Sequence, residues 1–299
     1  MQSTASLMEK VNMERLRTII AVIDPSEEKQ ISLEKALPLA RKTKANIIAY
    51  LCDYLPHEKM TKATSVREGR KTFVAERKAW LQGIIDTLDT SDVMVEAKVE
   101  YGKFWYTAVL RAASRLRGDL IIKSTEKHSK SKRLLTKTSD YTLLRRSPCP
   151  VLLARDSQPW QQGKLLAALD LESEDEGHFR LNSSIMHKAH FFHDLLGLDV
   201  HIVSACNPKG EFAQLSADDS LDDGLTPAEQ VGEYFDVPTD HIQLIDGPAV
   251  DVITKTAKDM SPDMIIIGTV ARTGVKGILV GNTAERILDG IDCDILAIS

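Results

Sequence analysis

Four glycines, Gly268, Gly274, Gly277 and Gly281, punctuate the segment DMIIIGTVARTGVKGILVGNTAE, in which an apolar strand runs straight into a loop and a helix start. Glycines at this spacing let backbone N–H groups approach an anion closely. The unpaired amides of a helix opened by Asn282 or Thr283 point the same way, so the chemistry suggested is phosphate binding. Arg272 and Lys276 lie in the same loop and could pair with phosphate oxygens. A second constellation lies in SSIMHKAHFFHDLLGL. The 100° helical step puts Ile185, Ala189, Phe192 and Leu196 on one stripe, and His187, His190 and Asp194 on the opposite face. Those three could reach a common zinc ion, or they could form a solvated polar face. The acidic stretch at 217–224 lacks the ligand order of a calcium loop and reads as surface.

The elements that must hold these residues occur twice. DLIIKST at 119–125 matches DMIIIGT at 263–269, and SPCPVLLA at 147–154 matches IDCDILAI at 291–298, both with a shift of 144 residues. Each half opens on an apolar strand ending in Asp, TIIAVID to Asp24 and KLLAALD to Asp170, followed by an amphipathic helix near 31–44 or 182–196. Second strands follow at 46–54 and 199–207. After a variable segment come a strand into Tyr101-Gly102 or Asp246-Gly247, a helix, the DLII or DMII strand, a loop, a helix and a last strand. Near-continuously apolar strands alternating with helices indicate parallel sheets covered on both faces. The expected fold is α/β: two tandem, doubly wound, open parallel five-stranded sheets, with ligands at the carboxyl ends of the strands. Domains are expected at 14–156 and 163–299. Their short linker favours halves packed as a pseudo-dimer through their last strands, which covers edges otherwise open to aggregation. Asp24 and Asp170 also suit turn or cap positions before their helices.

Composition narrows the classes. With 299 residues, 43% hydrophobic and 27% charged, the chain fits two ordinary globular domains rather than a disordered or membrane-spanning protein. TIIAVI is too short for a signal or transmembrane segment, so a cytoplasmic location is expected. Cys52, Cys149, Cys206 and Cys293 lack metal-ligand spacing and read as buried free thiols. The net charge of −5 divides into +11 through Arg155 and −16 after it, which favours attraction between the halves or an acidic ligand on the first.

The strand-ending Asp, the DLII and DMII strands, GTVARTG, GNTAE and the duplication together resemble the universal stress protein family. The resemblance implies roles in stress tolerance, including resistance to DNA-damaging agents. It implies partnership with a second copy or another stress protein, and ATP binding in some members but not others. The family pattern places Gly268 at the first glycine, Ala271 at the second, Gly281 at the third, and Asn282 where Ser or Thr follows. Asp170 stands where the pattern meets ribose and adenine, and Ser204 and Ala205, with Cys206, stand near the adenine. ATP or a related adenine nucleotide, with magnesium, is therefore expected in the second half only. In the first half the shift turns Gly268 into Ser124, Ala271 into Lys127 and Gly281 into Lys137. A basic run of Lys123, Lys127, His128, Lys130, Lys132, Arg133 and Lys137 replaces the glycines, with Arg145 and Arg146 beyond. It reads as a solvated loop or as a seat for a small acidic ligand. Nucleic acid is disfavoured because no aromatics interleave with the lysines. No catalytic residues are expected, since neither a Ser-His-Asp order nor paired carboxylates occur. The rival reading is an interaction scaffold whose basic half docks an acidic partner.

Overall fold

The computed structural model describes residues 15–60, 65–125, 139–216, 224–269, 287 and 290–299. The first half contains β1 (Thr18–Val22), α1 (Ile31–Thr43), β2 (Asn46–Asp53), α2 (Val66–Ile85), β3 (Val95–Tyr101), α3 (Trp105–Leu116), β4 (Leu120–Ser124) and β5 (Val151–Ala154). The second repeats the plan with β6 (Lys164–Leu169), α4 (Glu176–Leu196), β7 (Asp199–Ala205), α5 (Pro227–Phe235), β8 (Ile242–Ile245), α6 (Ala249–Met260), β9 (Met264–Gly268) and β10 (Asp294–Ile298). The 144-residue repeat survives to single positions: α3 and α6 coincide under it, and their C-caps Arg117 and Ser261 are both left-handed, with φ of 51° and 50°.

Ten strands form one sheet in the order β3-β2-β1-β4-β5-β10-β9-β6-β7-β8. Pairing is parallel within each half and antiparallel at the centre, where Ile295, Leu296 and Ala297 face Leu153, Leu152 and Val151. The two last strands therefore join as expected, and each removes the other's open edge. Alternation assigns strand residues to two cores. Ile19 and Ala21 lie on one face with Leu33, Leu39 and Phe192, and Ile20 and Val22 lie on the other with Val109 and Ala112. Complete burial of one such Ile or Leu contributes about 1.5–3 kcal/mol, so a polar residue at Leu152 or Leu296 would open the central seam.

Local chemistry sets the helix ends. α4 starts at Glu176, earlier than the periodicity alone suggests, because the Asp175 carboxylate accepts the Gly177 N–H at 2.6 Å. α5 starts from a reciprocal Thr226–Glu229 capping box with Pro227 in its first turn. α2 was not foreseen in the variable segment; Ser65 caps it, and Phe73, Leu81 and Ile85 are its buried residues besides Gly69. No described helix is long and apolar enough to cross a membrane.

Candidate functional site

In each half the chain leaves β1 or β6 for two strands on one side, then crosses to β4 or β9 on the other. That reversal leaves a crevice at the carboxyl ends of the β1/β4 and β6/β9 pairs. Asp170 follows β6 and Gly268 ends β9, so both stand at the second-half crevice. Ala271, Arg272, Gly274, Gly277, Gly281, Asn282 and Thr283 lie outside the described residues.

Asp170 is held from two sides. Its N–H donates to the Asn182 side chain at 3.1 Å, its carbonyl accepts from Asn182 Nδ2 at 2.9 Å, and Asn182 also donates to Gln214 at 2.9 Å. The Asp170 carboxylate meets His178 Nδ1 at 3.1 Å; the carboxylate side chain is 40% exposed and the imidazole 14%. Asp170 is thus a presented side chain whose orientation is set by His178 and Asn182 of α4. Ser204, the penultimate residue of the neighbouring β7, is buried, and its hydroxyl has no hydrogen-bond partner among the described residues. Ala205 is half-buried, and burial pushes the Cys206 thiol upward beside them. A Cβ on Gly268 would come within 2.4 Å of Leu181 Cδ2, so close packing of α4 is one physical reason for glycine there.

The first-half crevice is filled differently. Glu27, nearly buried, accepts the Ser124 hydroxyl at 2.7 and 2.8 Å, at the position equivalent to Gly268. Lys123 pairs with Asp140 at 3.3 Å. A carboxylate therefore sits at the end of β4, at the position that Gly268 takes at the end of β9. Asp24 serves as a turn residue, its Oδ1 accepting the Ser26 N–H and hydroxyl at 2.9 and 2.6 Å. Gln30 bridges Asp24 as Asn182 bridges Asp170. The basic run at 127–137 lies outside the described residues.

The zinc reading of α4 is corrected. His190 spends its Nε2 on the Phe235 carbonyl at 2.7 Å, closing the C-terminal end of α5. Among the described residues no three His, Cys, Asp or Glu side chains gather as metal ligands. A helical wheel places His187, His190 and Asp194 on one side but cannot show that a neighbouring helix covers part of it. The apolar stripe is as expected for Ile185, Ala189 and Phe192, which are buried.

Sequence patterns did not reveal the polar link between the halves. Lys35 of α1 meets Asp294 of β10 at 2.8 Å, with the two side chains 4% and 3% exposed. Asp294 also accepts the Arg155 N–H at 2.8 Å and Trp160 Nε1 at 2.9 Å, while Lys35 donates to the Gln158 carbonyl at 2.6 Å. The linker is pinned by this cluster. Burial raises the Asp294 carboxyl against the opposing pull of Lys35 and its hydrogen bonds. All four cysteines are free, but only Cys206 is buried as expected, Cys52, Cys149 and Cys293 being half-buried; partial burial still pushes the thiols of Cys52 and Cys149 up to about 11 and that of Cys293 to about 12.

These features define a tandem, doubly wound α/β protein with unlike crevices at its two reversal points. The family model described as "Universal stress protein family" matches residues 15–155 and 187–299, and the chain belongs to that family. It is 28% identical over 305 residues to universal stress protein E of Photorhabdus laumondii, covering 96% of each chain. Its identity to universal stress protein E of Escherichia coli K12 is 27% over 300 residues, covering 96% of this chain and 95% of the relative. A putative universal stress protein of Pseudomonas aeruginosa superposes with a TM-score of 0.72 at 26% identity, covering 96% and 94% of the two chains. One from Archaeoglobus fulgidus does so at 0.68 and 14% identity, covering 96% and 98%, which supports the fold alone.

Proposed function

We propose that this tandem universal stress protein comprises functional units at 14–156 and 163–299, and that the second unit binds ATP or a related adenine nucleotide. The observation that carries this reading is the contrast between the two crevices. A presented Asp170 stands beside Gly268 in one, whereas the Glu27 carboxylate occupies the Ser124 strand end in the other. A carboxylate at that point repels phosphate, and an oriented carboxylate can accept ribose hydroxyls. Gly274, Gly277 and Gly281 supply the backbone approach, Arg272 the charge, and Asn282 and Thr283 the helix start. Ser204 and Ala205 border the base, and magnesium enters only with the nucleotide's phosphates. The protein serves stress tolerance in the cytoplasm, including resistance to DNA damage, as a ligand-binding rather than a catalytic protein. Calorimetric titration of the intact chain with ATP tests the reading. Gly281→Val should abolish binding by closing the backbone approach, and Lys137→Ala should leave it unchanged. Unaltered affinity in the Gly281→Val protein would refute it.

A further inference from the structure

Six of the chain's sixteen Phe, Tyr and Trp residues lie around one end of the first half: Tyr54, Phe73, and Tyr101, Phe104, Trp105 and Tyr106 of the run YGKFWY. The fold assembles them from the ends of β2 and β3 and the start of α3. Gly102 N–H donates to the Asp53 carbonyl at 3.0 Å, and the Tyr101 hydroxyl donates to the Leu55 carbonyl at 2.6 Å, so the two loops lie side by side. Tyr54 and Tyr101 have ring centroids 5.3 Å apart, and Phe73 meets Tyr101 edge-on at 5.9 Å. Trp105 and Phe104 flank Tyr106 at 6.0 and 6.2 Å. Phe104 is 60% exposed and Tyr54 40%, a wasteful arrangement for two large rings with no external partner.

Cations accompany the rings. The Arg70 guanidinium lies 4.9 Å from the Tyr101 centroid, and Lys123 Nζ lies 5.3 Å from that of Trp105. The nearby carboxylates are already engaged: Asp53 by Arg77 at 2.7 Å, Glu100 by Arg111 and by the Tyr50 hydroxyl at 2.6 Å, and Asp140 by Lys123 at 3.3 Å. Arg70 and Lys103, both exposed, pair with no carboxylate among the described residues. Exposed rings beside uncompensated cations suit a ligand that offers flat bases and phosphates in alternation.

We propose that this rim, formed by Tyr54, Tyr101, Phe104 and Trp105 with Arg70 and Lys103, binds single-stranded nucleic acid. Bases stack on Phe104 and Tyr54, and the backbone phosphates lie against Arg70 and Lys103. The surface is separate from the second-half crevice, and the proposal rests on described residues alone. The absence of aromatics among the lysines of that run, which argued against nucleic acid, concerned only neighbours in sequence.

The test is fluorescence anisotropy of a short labelled oligothymidylate titrated with the intact protein at two salt concentrations. Saturable binding that weakens with salt is expected. Phe104→Ala and Tyr54→Ala should each weaken it about tenfold, the scale of one lost base stack, and Lys103→Glu should weaken it and flatten its salt dependence. Both rings are exposed, so circular dichroism melts of these variants should match the parent. Saturating ATP should not displace the strand. The proposal is overturned if no binding occurs, if ATP displaces the strand, or if both aromatic variants bind as the parent does. Loss of binding only when the lysines at 127–137 are neutralised would equally overturn it.

Discussion

Replacing Lys35 by Met removes one member of a buried ion pair while keeping most of the side-chain volume. The two side chains are 4% and 3% exposed, so solvent screening offers little relief. Breaking such a pair costs on the order of 3–5 kcal/mol, because the surviving charge stays buried without its partner. The lower end applies, since Asp294 keeps its hydrogen bonds from Arg155 N–H at 2.8 Å and Trp160 Nε1 at 2.9 Å. The expected loss is therefore about 3 kcal/mol, roughly a hundredfold in the folding equilibrium, read as a shift in urea midpoint by circular dichroism at pH 7. Pairing the change with Asp294→Leu should recover much of the loss by removing the stranded carboxylate. The penalty should also depend on pH. Burial raises the Asp294 carboxyl above its ordinary 3.8, so the folded state binds the proton more tightly than the unfolded one. That contribution is complete below 3.8 and is lost as pH rises through the folded value. Removing Lys35 raises the carboxyl further, so the penalty should shrink on acidification. A loss below about 1 kcal/mol at pH 7, or a double variant no better than the single, would refute the reasoning.

Asn182→Ala strips Asp170 of two backbone hydrogen bonds and removes the Asn182 donor from Gln214 Oε1, so thermal denaturation should register a loss of about 1–3 kcal/mol. Burial holds Cys149 near 11 and Cys293 near 12, so iodoacetamide at pH 8 should label both far more slowly in the native chain than in urea. Rapid native labelling of Cys293 would contradict the raised thiol of this half-buried residue. Raising NaCl from ~0.1 to ~0.5 M should change stability by less than ~1 kcal/mol, because the central strand seam is apolar and the Lys35–Asp294 pair is buried. Large salt destabilisation would assign the cohesion of the halves to the +11 and −16 surfaces instead.

The repeat made the strand plan legible, because apolar runs such as NIIAYLCD and MIIIG are local signals, and a constant shift of 144 residues aligns the halves. Pairing of the last strands followed from the need to cover two apolar edges. The Lys35–Asp294 contact was not legible: its partners are 259 residues apart, and neither type marks a buried position by itself. The roles of His178 and Asn182 were not legible, because periodicity begins the helix near 182, whereas the Asp175 cap starts it at Glu176 and so brings His178 to Asp170. The zinc reading failed because periodicity describes one helix, whereas the Phe235 carbonyl that takes His190 belongs to another. The aromatic rim joins Tyr54, after β2, to the run YGKFWY at 101–106, and only the fold brings these two segments together.

Equilibrium dialysis of the intact chain against radiolabelled ATP tests the functional asymmetry of the halves most directly. One nucleotide per chain is expected, weakened by Asp170→Ala and unchanged by Glu27→Gln. Two equivalent sites per chain, or a single site abolished by changes at Ser124 and Glu27 rather than at Asp170, would contradict the assignment.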